Sequence, residues 1–142
     1  MAKMESSVTI NAPVEKVFEY LRKPENLPEI WPSLIEVNNV KVQPNGDYSY
    51  DYVYKMVGVR LTGSSEDTVV SNERIVSVST GGIESKITFL FQPEDGGTNF
   101  SVEAEYTVPV PVLGKFAEAV IFRQIGKEAE VIMDNLKTMM EA

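Results

Sequence analysis

The closing stretch of this chain, roughly thirty residues long, decides most of what it can fold into. From about Leu113 to nearly the end, apolar side chains recur with a helical period. Residues 33–108 instead alternate with a period of two, in runs separated by short turn sequences. The runs are "SLIEVNNVKV", "YSYDYVYKMV", "GVRLTGSSEDTVV", "ERIVSVS", "IESKITFLF" and "NFSVEAEYTV". "QPNGD", "SNE", "TGG" and "PEDGG" connect them at hairpin length, so the strands should pair antiparallel. Pro109 and Pro111 end the last run. A further short strand, "ESSVTI", precedes them all and brings the expected number to seven. Such a sheet has an apolar face to cover, and only the last helix, about 40 Å long by its residue count, can do so.

Between the first two strands the period is helical and broken by proline. In "NAPVEKVFEYLRK", Asn11 or Ala12 is placed to cap and Pro13 suits a first turn. Val14, Val17, Phe18 and Leu21 then form one apolar stripe. Pro24 ends that helix. "PENLPEIW" has room for a turn or two before Pro32, because Pro28 removes a backbone donor. The expectation is one α+β domain over residues 1–142, with two short helices between strands one and two.

Composition removes whole classes of chemistry. The chain contains no cysteine and no histidine. Thiol nucleophiles, disulfides, thiolate zinc sites, His-ligated metals and imidazole bases are therefore excluded. Proton transfer would fall to Asp, Glu, Tyr or Lys. No metal and no cofactor is expected. The formal net charge of −8 disfavours nucleic acid and anionic lipid surfaces. No run approaches the ~20 apolar residues of a membrane span, and no signal-like N-terminus is visible. A cytoplasmic monomer without an integral membrane segment is the expectation.

Two segments carry a family resemblance: "VTINAPVEKVFEYLRKPENLPEIWPSLIEV" near the start and "YTVPVPVLGKFAEAVIFRQIGKEAEVIMDNLKTMM" at the end. The chain resembles the helix-grip, or SRPBCC, superfamily of START domains, the birch-pollen allergen and polyketide cyclase/dehydrase-like proteins. The resemblance implies a strongly bent sheet gripping the last helix, with a cavity between them that holds a hydrophobic molecule. Fold alone does not choose among carriers, cyclases and interaction domains.

Candidate cavity residues follow from facing. Tyr48, Tyr50, Tyr52 and Tyr54 share one side of their strand, while Ser49, Asp51, Val53 and Lys55 share the other. Four buried tyrosine hydroxyls need partners, which a wet cavity or a polar-headed ligand supplies; the alternative is cross-strand packing with hydroxyls at the rim. Phe89, Phe91, Phe100 and Tyr106 form core or cavity wall. Gly63, Ser64 and Ser65 fill little volume and leave space beneath the helix, unless their strand is simply exposed. Trp31, the only tryptophan, either plugs the core beside Phe18, Leu27 and Ile30 or touches a ligand.

On the last helix, Leu113, Ala117, Val120, Ile121, Val131, Ile132, Leu136 and Met139 make an apolar face. Gln124 and Glu128 fall within it, either to orient a ligand's polar end or on a solvated stretch. Asn135, near the end, is read as solvated. Met133 and Met140 are read as outward-facing. No spacing forces a catalytic pair, so no catalytic residue is assigned. Three functions stay open: a carrier of a lipid, isoprenoid or polyketide-like compound; a metal-independent cyclase using cavity Tyr and Glu; and an interaction domain without a natural ligand.

Overall fold

Alternation makes the strands, and turn chemistry sets where they reverse. The computed structural model describes residues 2–56, 58–107 and 117–142. In chain order these form β1 (Ala2–Ile10), α1 (Val14–Leu21), a 3₁₀ turn (Pro24–Asn26) and α2 (Leu27–Ile30). Then come β2 (Leu34–Val42), β3 (Tyr48–Met56), β4 (Val59–Val70), β5 (Arg74–Thr80), β6 (Glu84–Glu94), β7 (Gly97–Thr107) and α3 (Ala117–Glu141). At the β2–β3 reversal Gly46 takes φ +91°, a conformation that costs glycine nothing.

The seven strands form one sheet in the order β1-β7-β6-β5-β4-β3-β2. Every neighbouring pair is antiparallel. β1 joins β7, so α1 and α2 carry the chain from one edge of the sheet to the other. This is the α+β helix-grip arrangement that the resemblance implies. α1 buries Val14, Val17, Phe18 and Leu21, and Phe18 meets Phe91 edge-on at 5.5 Å between ring centroids. α3 lies along β1 and over α2. Three contacts tie its C-terminal end: Lys137 Nζ donates to the Thr9 carbonyl (2.7 Å), Lys16 Nζ to the Met140 carbonyl (2.8 Å) and the Asn11 N–H to Glu141 Oε2 (2.8 Å).

The structure corrects several local expectations. β1 begins three residues before the expected "ESSVTI". β6 runs on through Pro93 and Glu94, so that reversal is confined to Asp95 and Gly96. Pro13 itself occupies the N-cap of α1, with no side-chain cap from Asn11.

The largest correction concerns α3. Its buried row runs through Ile121, Glu128, Ala129, Met133, Leu136 and Met140, with Ile125 and Ile132 partly buried beside it. Val120 (52 % exposed) and Val131 (41 %) face outward. The row is turned by most of one residue step, about 100°, from the expected face. Two exposed valines on the far side displace the apparent centre of the apolar stripe. For the same reason Met133 and Met140 are buried, not outward. Asn135 is half-buried, not fully solvated; its side-chain amide donates to the Ile30 carbonyl at 3.0 Å and ties α3 to α2. Leu113, Pro109 and Pro111 lie outside the described residues.

Candidate functional site

A cavity of about 110 Å³ lies between the inner face of the sheet and α3. Its wall includes Leu27, Ile30, Trp31 and Leu34 around α2, and Ile125, Ala129 and Ile132 from α3. The sheet contributes Tyr50, Tyr52, Tyr54, Phe89, Phe100 and Tyr106, with aliphatic residues between them. Four serines, Ser65, Ser77, Ser79 and Ser85, complete the wall.

Of the residues expected there, Trp31, Tyr50, Tyr52, Tyr54, Phe89, Phe100 and Tyr106 reach the wall. The others do not. Tyr48, at the start of β3, is half-buried, and the Arg22 guanidinium lies 5.9 Å from its ring centre. Phe91 is buried one step further along β6, beneath α1. Val120 faces outward, and Gln124 is half-buried off the wall. Glu128 lies behind the wall, not on it. Of the small residues, Ser65 lines the cavity and Ser64 turns outward to bond Asp51 (2.7 Å).

Gly63 has a different role from the space-leaving one expected. A Cβ there would stand 2.5 Å from the Thr80 carbonyl oxygen and 2.6 Å from the Tyr52 hydroxyl. The glycine leaves room for the Tyr52 hydroxyl. That hydroxyl donates to the Ile83 carbonyl and accepts from the Ile83 N–H, both at 3.2 Å.

Trp31 answers both readings at once. It is half-buried at the C-terminus of α2, packs against the core and lines the cavity. Its indole meets Tyr54 edge-on at 6.0 Å.

Two polar clusters stand behind this largely apolar wall. In the first, three donors converge on Glu128, which is 8 % exposed. Ser33 Oγ donates to Oε2 (2.5 Å), the Ser33 N–H to Oε1 (3.2 Å) and the Tyr54 hydroxyl to Oε1 (3.3 Å). The cluster satisfies a buried carboxyl group and locks α3 to the start of β2. Burial, and then the neighbouring Glu128, push Tyr54 far above the ordinary tyrosine range, so its hydroxyl stays a donor.

The second cluster surrounds Asp67 on β4, which is buried. Ser77 Oγ donates to Asp67 Oδ1 at 2.5 Å, and the Tyr50 hydroxyl lies against Asp67, Ser65 and Ser77. Ser79 Oγ donates to Ser65 Oγ at 3.2 Å. Burial raises Asp67 from the usual 3.8 to about 6, against the lowering effect of Ser77 and Tyr50.

Sequence reasoning missed Asp67, Ser77, Ser79, Ser85 and Ser33. The signal for the first three was the strand register. Tyr50 pairs with Ser65, Ser65 with Ser79 and Asp67 with Ser77, so all share the face of the tyrosines. Among the described residues, no group of three or more Asp or Glu is arranged to hold a metal ion.

Known proteins share this architecture. ZhuI aromatase/cyclase from Streptomyces sp. R1128 superposes with a TM-score of 0.81 at 13% identity, covering 99% of this chain and 93% of that one. TTHA0849 from Thermus thermophilus gives 0.75 at 20% identity, covering 96% and 95%. The di-domain ARO/CYC BexL of the BE-7585A biosynthetic pathway gives 0.78 at 21% identity, covering 99% of this chain and 50% of that one. These likenesses concern the fold. None of the curated proteins matches the chain in sequence. A family model described as "Polyketide cyclase / dehydrase and lipid transport" does match it, over residues 1–141, and by that match the chain belongs to this family.

Proposed function

We propose that the protein binds a small hydrophobic or amphipathic molecule in the cavity between sheet and α3. One observation carries this reading: a cavity in the middle of the fold whose wall is largely apolar yet interrupted by tyrosine and serine hydroxyls. Ligand sites have this character, an apolar enclosure with a few placed polar groups. At about 110 Å³ the space is below the ~150 Å³ of a cavity that accepts benzene, so even a single-ring molecule enters by displacing side chains.

A second reading, a cyclase-type enzyme, is favoured by the Tyr50–Asp67 contact. A carboxyl group raised to about 6 beside a cavity-facing phenol is suited to moving protons on a bound carbonyl compound. The relation to aromatase/cyclases in fold and family agrees with this but does not assign it.

Native mass spectrometry of freshly purified protein tests the binding reading. The expected spectrum shows a non-covalent small-molecule adduct that collisional heating removes. Protein that is free of adduct, and that gains none when offered fatty alcohols, isoprenoids and aromatic polyketides, would refute it.

A further inference from the structure

We propose that the cavity selects ligands with an uncharged hydrogen-bonding head, a phenol, alcohol or ketone, and rejects carboxylates. The proposal rests on the cavity-binding reading above and names the class of its ligand.

The charges decide it. Among the described residues, the cavity wall holds no Lys, Arg, Asp or Glu. Directly behind it stand two buried carboxyl groups, Glu128 on α3 and Asp67 on β4. No salt bridge among the described residues involves either of them. Both are held instead by hydroxyls: Tyr54 and Ser33 at Glu128, Ser77 and Tyr50 at Asp67. Asp47 adds further negative charge on the Asp67 side. An anionic head would meet this negative field in a region where little water screens it. It would also surrender its hydration without finding a cation among the described wall residues.

An uncharged head meets neither cost. Ser79 donates to Ser65, and Ser65 lies against Tyr50, which adjoins Asp67. This row of hydroxyls ends on an acceptor, so a ligand hydroxyl or carbonyl can exchange hydrogen bonds with its cavity-lining members. Tyr50 stays protonated, because burial and then Asp67 hold it far above the ordinary tyrosine range.

The test uses three compounds that share one tolyl ring: toluene, p-cresol and p-toluate, titrated by calorimetry at pH 7.5, with two variants to separate charge from size. Toluene reads the cavity alone. The expected order is p-cresol tightest, then toluene, with p-toluate at least about tenfold weaker than p-cresol. Asp67→Asn and Glu128→Gln, each confirmed folded by thermal melting, should each shrink the p-cresol to p-toluate ratio several-fold. If p-toluate binds as tightly as p-cresol while toluene also binds, the selectivity is wrong and the cavity reading stands. An unchanged ratio in both folded variants overturns the electrostatic cause, and with it the proposal. Binding of none of the three compounds overturns the cavity reading and this proposal together.

Discussion

Asp67 places a carboxyl group in a buried position on β4. Its carboxyl titrates at about 6 in the fold and at the usual 3.8 in the unfolded chain. Between those values the folded state keeps a proton that the unfolded chain has released. Stability from this group is therefore complete below about pH 4 and is lost as pH rises through about 6. Two pH units of displacement correspond to about 2–3 kcal/mol. Asp67→Asn keeps the shape and an acceptor for Ser77, so at pH 7.5 it should raise stability by about 1–2 kcal/mol and flatten the pH 4–6 dependence. Chemical denaturation of both proteins across that range measures this. A less stable variant at pH 7.5, with the slope intact, would show that the hydrogen bonds outweigh the desolvation. Gly63 makes the opposite case. Gly63→Ala drives a methyl group into the Thr80 carbonyl and the Tyr52 hydroxyl, and should cost about 2 kcal/mol or more. Urea denaturation showing a loss below about 0.5 kcal/mol would mean that Tyr52 moves aside freely.

Among the elements, α3 shows what was legible and what was not. The strands were readable because alternation is local: each of the seven was found to within a few residues. The length of α3 and its place over the sheet were readable too. Its rotation was not. Val120 and Val131 are as apolar as Ile121 and Ile132, and only the partner surface distinguishes them. The polar wall was hidden for a related reason. "GSSEDTVV" resembles a solvated strand until its register is laid against Tyr50 and Ser77. A mutational pair checks the rotation. Met133→Ala should destabilise by about 2–4 kcal/mol, since a buried methionine leaves a void. Val120→Ala should change stability by less than about 0.5 kcal/mol, as exposed positions do. Thermal melts that ranked these two in the reverse order would return α3 to the face first expected. Tyr54→Phe removes one donor from Glu128 and should cost about 1 kcal/mol while leaving the helix in place.

At the scale of the whole molecule, a seven-stranded sheet and one long helix enclose an apolar space that neither fills. No helix among the described residues is long and apolar enough to cross a membrane. With no cysteine or histidine in the chain, binding should be indifferent to metals, and dialysis against a chelator should leave the melting temperature unchanged. A ligand at a hundredfold excess over its Kd should stabilise the fold by ~2.7 kcal/mol. The central claim is that this binding happens inside the cavity, and Ala129→Phe tests it most directly. Ala129 is buried on α3 and lines the cavity, so a phenyl ring there occupies the space a ligand would take. Toluene titrated by calorimetry should bind the natural protein with a stoichiometry of one, and should show no saturable heat with a folded Ala129→Phe protein. Equal binding by both, or by neither, would contradict the account.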